Sequence, residues 1–291
     1  MRDVILFMFA GRRENLEINL PLIAHVLDEH PNVRCQIWNL AREHLDNEYL
    51  RSISDPRFEV INTFYGPRVW QSFDKVWRYY TSRKFRDYLF VKIDDDVVFF
   101  ETETFSEFLD AIEQNPGSVV SAETINNGAS TPLKSAIWDG FMKLCIPLLD
   151  VHLSNKYAEM AHEYMFTHWR ELIAQPMKLV ETDDWMSINL VGMDWATLCR
   201  VAERLGRPSP GYIAGRHWRP RSRIGDEGSC NMEKRYILQG FLAGHLGFGP
   251  QHVTDEQLRL WRHQYTGIGR EYLCPQRSRT SVMPSFAPEK S

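Results

Sequence analysis

Apolar runs alternate with helical patterns along the first part of the chain. Residues 4–9 form an unbroken apolar run, which is typical of a strand buried on both faces. Apolar positions at helical spacing follow through residues 16–27. Further strand candidates are residues 34–40, 58–64, 88–93 and 118–122, and further helical patterns are residues 43–52, 70–80 and 104–114. This alternation predicts an α/β fold with a Rossmann-like, mixed but mostly parallel sheet flanked by helices.

The second part of the chain has a less regular pattern. Residues 133–175 are helical and aromatic, and we expect a helical insertion that covers one side of a site. Residues 207–223 form a loop rich in proline and glycine, and residues 225–228 open a helix that is predicted to continue through residues 236–242. We predict a single domain over residues 1–274, with halves at 1–128 and 129–274 and a variable C-terminal part. Residues 275–291 are polar and proline-containing, which predicts a flexible tail.

Composition indicates the cellular location of the protein more than its activity. The net charge of −4 gives no overall attraction to nucleic acid or to an anionic membrane. No apolar run reaches 18 residues, so no membrane span is expected, and the short apolar start is predicted to be a strand rather than a signal peptide. The five cysteines form no CxxC pair, which favours free thiols and a cytoplasmic location.

Three consecutive carboxylates, Asp94, Asp95 and Asp96, stand between two apolar runs. Burying like charges beside a core strand is unfavourable unless something compensates them. Mg²⁺ and Mn²⁺ prefer oxygen ligands, so a divalent cation is a natural compensation. In parallel sheets ligands bind beyond the carboxyl ends of the strands, which is where the triplet is expected to lie.

The triplet alone leaves three interpretations. It can be a solvated loop without metal, although the flanking apolar runs disfavour this. It can be the nucleophile motif of a haloacid dehalogenase-type phosphatase, but that motif follows the first strand, and here about three strands precede it. Such a phosphatase also expects a later acidic pair, and Gly225-Asp226 has Cys230 where the second Asp would fall. The third interpretation is the Asp-x-Asp motif of nucleotide-sugar glycosyltransferases.

The segment Val91-Lys-Ile-Asp-Asp-Asp-Val-Val98 resembles the Asp-x-Asp strand of GT-A fold glycosyltransferases, including some galactosyltransferases and fringe-like enzymes. The resemblance covers residues 1–128 as a pattern and returns at Gly225-Asp-Glu-Gly228 and at His245. The chain also resembles phage-encoded glycosyltransferases, which implies a host cytoplasm. The resemblance implies a GT-A type catalytic domain with a nucleotide-sugar-binding half at 1–128 and an acceptor-binding half at 129–274.

The resemblance implies a hexosyl- or pentosyltransferase with Mn²⁺ or Mg²⁺ as cofactor and a UDP- or GDP-sugar as donor. It makes Asp96 a direct metal ligand, Asp94 a ligand or ribose contact, and His245 a third ligand. A metal would neutralise the charge that grows on the leaving diphosphate. The alternative for His245 is an ordinary loop histidine.

An inverting transfer needs a base for the acceptor hydroxyl, and Asp226 and Glu227 are the candidates. The start of a helix favours their carboxylate forms. In the related motif the second acidic residue is usually the base, which points to Glu227, although the order here is Asp-Glu rather than Glu-Asp. The alternative is a simple helix cap by Asp226.

Donor contacts are expected from the first loop and from the triplet. Gly11 allows close approach, and Arg12 suits a base edge or a phosphate. Asp94, Asp95 and Asn127 are further donor candidates. The alternatives are a surface arginine at a turn and a plain turn asparagine.

The basic loop that precedes Gly225 suggests an anionic ligand. Trp218, Arg219 and Arg221 are candidates to contact the acceptor or a phosphate. A DNA acceptor carrying a hydroxymethylated base would have to flip that base out of the duplex, and Trp218 suits stacking on it. The alternatives are a solvated loop and, for the whole chain, a non-catalytic carbohydrate-binding protein.

Overall fold

The computed structural model describes residues 2–66, 72–219 and 222–274. The strands are β1 Val4–Ala10, β2 Val33–Asn39, β3 Phe58–Ile61, β4 Leu89–Asp94, β5 Val97–Phe100, β6 Ser118–Ile125, β7 Lys178–Glu181, β8 Leu190–Asp194, β9 Tyr212–Ile213, β10 Arg216–His217 and β11 Lys234–His245. The helices are α1 Arg13–Glu29, α2 His44–Ser52, α3 Phe73–Tyr79, α4 Phe105–Gln114, α5 Ser135–Leu144, α6 Asn155–Leu172, α7 Trp195–Arg204, α8 Asp226–Cys230 and α9 Asp255–Leu273. The predicted tail at 275–291 lies outside the described residues.

One nine-stranded sheet organises the chain, in the order β3-β2-β1-β4-β8-β6-β11-β5, with β7 also paired to β11. Strands β1, β2, β3, β4, β6 and β11 run in one direction, and β5, β7 and β8 run in the other. The prediction of a mixed, mostly parallel sheet is therefore confirmed. Because β8 and β11 lie among strands of the first half, residues 1–128 and 129–274 share one sheet.

Helices cover both faces of the sheet, and β1 explains why. Its seven residues are all buried, and alternate side chains enter two different cores. Leu6 and Met8 pack on the face of α1, α4, α6 and α9, whereas Phe7 packs on the face of α3 and α7. An unbroken apolar strand therefore needs a helical layer on each side.

The strand order places an opening beside β1. The chain winds from β1 to β2 in one direction along the sheet and later returns to β4 on the other side of β1. Such a reversal leaves a crevice outside the carboxyl ends of β1 and β4. Phe9 of β1 lies opposite Asp94 of β4, so the Asp triplet is at this crevice, as predicted.

The prediction of a long helix from Gly225 through residue 242 is wrong. Helix α8 ends at Cys230, and residues 234–245 form β11 between β6 on one side and β5 and β7 on the other. Most of β11 is buried, and such a strand shows no clear alternation that would distinguish it from a buried helix. The helical pattern at 133–175 is confirmed by α5 and α6. No helix among the described residues has the length and apolarity to cross a membrane.

Candidate active site

The Asp triplet forms the tight turn between β4 and β5, and its side chains are divided between two cationic partners. Asp94 is the last residue of β4, while Asp95 and Asp96 form the turn itself. Lys92 and Asp94 lie two positions apart on β4, so their side chains share a face. The triplet is thus divided between two neighbourhoods, one around Arg12 and one around Lys92.

Asp95 anchors the loop that follows β1. Its Oδ2 accepts the Gly11 backbone N–H at 2.8 Å, and its Oδ1 accepts Arg12 Nε at 2.9 Å. A Cβ on Gly11 would approach the Leu40 carbonyl oxygen to 3.0 Å, so a small residue suits this position. Both oxygens of Asp95 are therefore engaged within the protein. Asp95 holds Gly11 and Arg12 at the mouth of the crevice, and its predicted donor contact stays a prediction.

Arg12 also pairs with Asp96, at 2.9 Å between Nη2 and Oδ2. Burial by itself would raise the pKa of Asp96, but the Arg12 guanidinium and His245 hold it well below its usual range. Although burial opposes it, the carboxylates Asp96 and Asp95 raise the pKa of Arg12. Asp96 is consequently a permanent anion at neutral pH. Half of the Arg12 side chain remains exposed to solvent.

The pairing of β11 with β5 brings His245 close to Asp96, although about 150 residues of sequence separate them. The last residues of β11 pair with β5, so that His245 lies opposite Val97 and the Leu246 N–H donates to the Asp96 carbonyl at 2.8 Å. His245 Nε2 is 3.4 Å from Asp96 Oδ2. The predicted proximity of these two groups is therefore present in the fold.

The pair has features that fit a divalent cation. Asp96 Oδ1 and His245 Nδ1 are buried and have no hydrogen-bond partner among the described residues. Buried polar atoms rarely remain without partners unless a ligand or ion supplies one. Across residues 2–66, 72–219 and 222–274, no three His, Cys, Asp or Glu side chains are grouped to hold an ion by themselves. Mg²⁺ is commonly held by one or two protein ligands together with substrate phosphates, so two ligands can suffice.

Lys92 compensates the other part of the triplet. Its buried Nζ is 2.7 Å from Asp94 Oδ1 and donates to the Ile188 carbonyl at 2.8 Å. Burial raises the pKa of Asp94 to about 7, and Asp96 adds to the rise while Lys92 opposes it. Asp94 is thus turned toward a fixed cation, and its predicted role as a metal ligand or ribose contact stays a prediction.

The same lysine faces the acidic pair at the start of α8. Lys92 interacts electrostatically with both Asp226 and Glu227. Trp77 Nε1 lies 3.4 Å from Asp226 Oδ2. The N-cap of α8 is Gly225, so the alternative of Asp226 as a simple helix cap is wrong. Lys92 therefore links Asp94 of β4 with an acidic pair more than 130 residues later.

Glu227 combines partial exposure with a raised pKa. Burial raises the pKa of Glu227 to about 7 and Asp226 raises it further, whereas Lys92 and Arg216 oppose the rise. A carboxylate with a pKa near neutrality exchanges a proton readily at physiological pH. Perturbed carboxylates in a crevice are typical of active sites, although ion pairs in structural networks also produce them.

A small hairpin of β9 and β10 stands beside α8. Ala214 and Gly215, both with positive φ, form its two-residue turn. Arg216 lies over the buried Trp185 ring at 4.8 Å, and Trp218 packs against Gly228, where an added Cβ would be 2.9 Å from the indole. Of the predicted acceptor contacts, Trp218 is thus next to the acidic pair and partly buried. Arg219 is exposed, and Arg221 lies outside the described residues.

A cavity of about 270 Å³ opens beside the triplet. Gly11, Arg12, Asp94 and Asp95 line one part of it. The rest of its wall comes from the ends of β1 and β2, from α2 and from α3, with the residues Phe9, Ala10, Leu40, Arg42, Glu43, Asp46 and Phe73. An aromatic and apolar wall next to charged groups suits a ligand with a flat ring and an anionic part.

Asn127 does not line this cavity. It is buried, its Nδ2 donates to the Ser187 carbonyl at 3.1 Å, and its Oδ1 accepts the Ala129 N–H at 3.1 Å. These bonds hold the loop after β6 against the segment before β8. The amide of Asn127 is thus engaged within the protein, and the donor contact that the sequence suggested for it stays a prediction.

The sequence reasoning missed Lys92 and Arg216 as site residues. Burying a lysine in an otherwise apolar strand is unfavourable unless the lysine has a partner. The position of Lys92 in the sequence therefore indicates an anionic partner close to it. Arg216 could be placed only after the hairpin was known. No protein-family model and no curated protein matches the chain, so the chemistry of this crevice follows from its own residues.

Proposed function

We propose that the chain is a metal-dependent glycosyltransferase of GT-A type, which moves a sugar from a nucleotide-diphosphate sugar to an acceptor hydroxyl. One observation carries the proposal. An Asp96–His245 pair with unpartnered buried atoms lies at the crevice where the strand order reverses, and a separate carboxylate pair, Asp226–Glu227, interacts electrostatically with Lys92 of the adjoining strand β4. An inverting transferase needs both, because the leaving group gains charge while the acceptor loses a proton.

The donor side of the site is the part around Arg12. Asp96 and His245 would hold Mn²⁺ or Mg²⁺, which supplies electrostatic stabilisation of the leaving diphosphate. Arg12 is partly exposed and lies at the cavity beside Gly11, so its guanidinium can reach a phosphate oxygen of the donor. The cavity wall with Phe9 and Phe73, whose rings stack at 4.9 Å, suits the nucleobase of a UDP- or GDP-sugar.

The acceptor side is the part around α8. Glu227 would accept the proton of the attacking hydroxyl, since its pKa near 7 matches a general base at neutral pH. Asp226 lies near Trp77 Nε1, and its negative charge would increase the proton affinity of Glu227. Asp226 is also the second candidate for the base. Lys92 would keep the donor side and the acceptor side of the site aligned, because it interacts with Asp94 and with the acidic pair.

The basic hairpin beside α8 favours an anionic acceptor such as DNA with a hydroxymethylated base. This edge of the site carries four consecutive residues that suit an anionic ligand, namely Arg216, His217, Trp218 and Arg219. A local positive stripe can bind a phosphate backbone even though the whole chain is acidic. All five cysteines are free, which suits a host cytoplasm as the place of action.

The test is a screen of nucleotide sugars for release of nucleoside diphosphate in the presence of Mn²⁺, first without acceptor. Release from one donor that is lost with EDTA and in Asp96→Ala supports the proposal. Release from none of the donors, with or without acceptors, contradicts it. A second screen offers plain and hydroxymethylated DNA, and incorporation of sugar only into the latter supports the proposed acceptor.

One observation favours a second candidate, the haloacid dehalogenase-type phosphatase. That reaction requires a lysine and an acidic pair near its nucleophilic aspartate, and Lys92 pairs with Asp94 while interacting electrostatically with Asp226 and Glu227. The position of Asp94 after the fourth strand of the chain and the Asp96–His245 pair remain unexplained by it. Phosphate release from simple monoesters, lost in Asp94→Asn, would establish the phosphatase and contradict the transferase.

A further inference from the structure

His162 of α6 is completely buried behind β11, and both of its ring nitrogens have partners. Nε2 is 2.8 Å from the Leu246 carbonyl oxygen, and Nδ1 is 2.9 Å from Tyr265 Oη of α9. A carbonyl oxygen only accepts, so Nε2 carries the hydrogen and donates it. Burial lowers the pKa of His162 to about 3, which keeps the ring neutral. Nδ1 is therefore an acceptor, and the Tyr265 hydroxyl donates to it.

Leu246 connects this pair to the proposed metal ligands. Its carbonyl accepts from His162, and its N–H donates to the Asp96 carbonyl at 2.8 Å. Both polar groups of this residue are thus fixed, directly after His245. The main chain on either side of His245 can move relative to Asp96 only if one of these bonds breaks.

Tyr265 also fixes the residue before His245. A Cβ on Gly244 would lie 2.7 Å from the Tyr265 ring, so the ring packs directly on the main chain there. The His162 ring lies 4.1 Å from the Trp261 ring, and Trp261 and Tyr265 are both on α9. Two helices far apart in sequence, α6 and α9, therefore converge on residues 244–246.

We propose that His162 and Tyr265 are positioning residues that hold His245 against Asp96 through the peptide groups of Leu246. The inference rests on the metal-binding part of the proposed function. A polar pair of this kind is unfavourable in a core unless each group is satisfied, and packing alone would be served by apolar side chains. Residues that orient metal ligands without touching the ion typically change metal affinity about 10- to 100-fold when mutated.

The experiment titrates the full-length protein with Mn²⁺ alone and follows the loss of the free-ion EPR signal. Wild type, Tyr265→Phe, His162→Leu and His162→Gln are compared, and urea unfolding is measured for each. We expect Tyr265→Phe and His162→Leu to weaken Mn²⁺ binding about 10- to 100-fold. His162→Gln should recover much of the loss, because its side-chain amide can again donate to the Leu246 carbonyl.

Tyr272→Phe is the matched control. Tyr272 is also a buried tyrosine of α9, and its hydroxyl accepts the N–H groups of Thr102 and Glu103 without contacting residues 244–246. Tyr272→Phe should reduce stability without weakening Mn²⁺ binding. Wild-type affinity in Tyr265→Phe and His162→Leu overturns the inference while the metal site stands. Absence of Mn²⁺ binding in wild type overturns the metal site of the proposed function, and the inference with it.

Discussion

Two cations neutralise the carboxylates at this edge of the sheet, and they differ in how firmly they are held. Lys92 is almost fully buried, fixed by Asp94 and by the Ile188 carbonyl. Arg12 pairs with Asp95 and Asp96, but half of its side chain is exposed on a loop. Opening the Lys92 pair would leave a buried cation uncompensated, whereas Arg12 can be hydrated outside the site if another cation compensates the buried Asp96 in its place.

We therefore call the neighbourhood of Lys92 and Asp94, with the acidic pair, the permanent part of the site. The neighbourhood of Arg12, Asp96 and His245 is the exchangeable part. Around Lys92 the protein supplies its own positive charge, so the groups there can move protons without any added ion. Around Asp96 the positive charge comes from a side chain that can swing toward solvent, and buried atoms of Asp96 and His245 remain without partners. The second arrangement suits a site that receives a cation and a diphosphate together.

Removing the anion of the exchangeable part should have the largest effect. Asp96→Asn is expected to reduce Mn²⁺-dependent release of nucleoside diphosphate by about 10³-fold or more, because a bound metal contributes several kcal/mol to charge stabilisation. Initial rates at saturating donor measure it. Asp87→Asn, a change at an exposed aspartate, is the control. Equal activity of Asp96→Asn and wild type would show that no metal acts at Asp96.

Removing the proposed base should affect transfer almost as strongly. Glu227→Gln is expected to lower kcat for transfer by about 10²- to 10³-fold with a small change in donor KM, as is typical for loss of a general base. The same measurement on Asp226→Asn assigns the role. A larger kcat loss in Asp226→Asn than in Glu227→Gln would move the base to Asp226.

Removing each of the two cationic side chains in turn tests the comparison directly. Lys92→Met should lower the free energy of unfolding by about 3–5 kcal/mol, because Asp94 remains buried without its partner. Mn²⁺ should not restore this loss, whereas it should restore the stability that Arg12→Gln loses. Urea unfolding with and without Mn²⁺ measures both, and Lys143→Met at an exposed position is the control. Equal rescue of the two variants would remove the distinction between the parts.

The pH dependence of stability should be smaller, and Asp94 and Glu227 of the permanent part should contribute to it together with Glu101, whose pKa burial raises to about 8. The pKa values of Asp94 and Glu227 rise to about 7 from 3.8 and 4.5, so between these limits the folded state holds protons that the unfolded state releases. Without metal, the free energy of unfolding should therefore be highest at low pH and fall as the pH rises through 7. The slope is at most about 1.4 kcal/mol per pH unit for each group.

Urea unfolding from pH 5 to pH 8 checks this expectation. Glu227→Gln should flatten the slope. Asp96→Asn should reduce the slope only in part, because Asp96 does not itself titrate in this range but contributes to the raised pKa of Asp94. A slope in Glu227→Gln equal to that of wild type would contradict the raised pKa of Glu227.

Sequence patterns predicted the first half of the fold well and the second half unevenly. Apart from β5, for which no separate strand was predicted, the strands and helices through β6 follow the predicted ranges closely, because short loops and clear periods separate them. The stretch at 234–245 was assigned to a helix because a buried apolar run has no period that favours a strand. The sequence does not indicate that the Asn127 side chain joins the loop after β6 to the segment before β8, because the Nδ2 acceptors, Ser187 and Asn189, lie about 60 residues away and leave no local signal.

The sequence by itself determined the order of the β/α units, the carboxylate triplet at the end of β4 and the acidic residues that begin α8. These depend on local periods and on chain neighbours. Only the tertiary structure decided that His245 lies close to Asp96, that Lys92 interacts with Asp94 and with Asp226 and Glu227, and that Arg12 pairs with Asp95 and Asp96 while half of its side chain stays exposed. Such contacts join residues remote in sequence, and the compensation of a buried charge depends on whichever group the fold brings within a few ångströms.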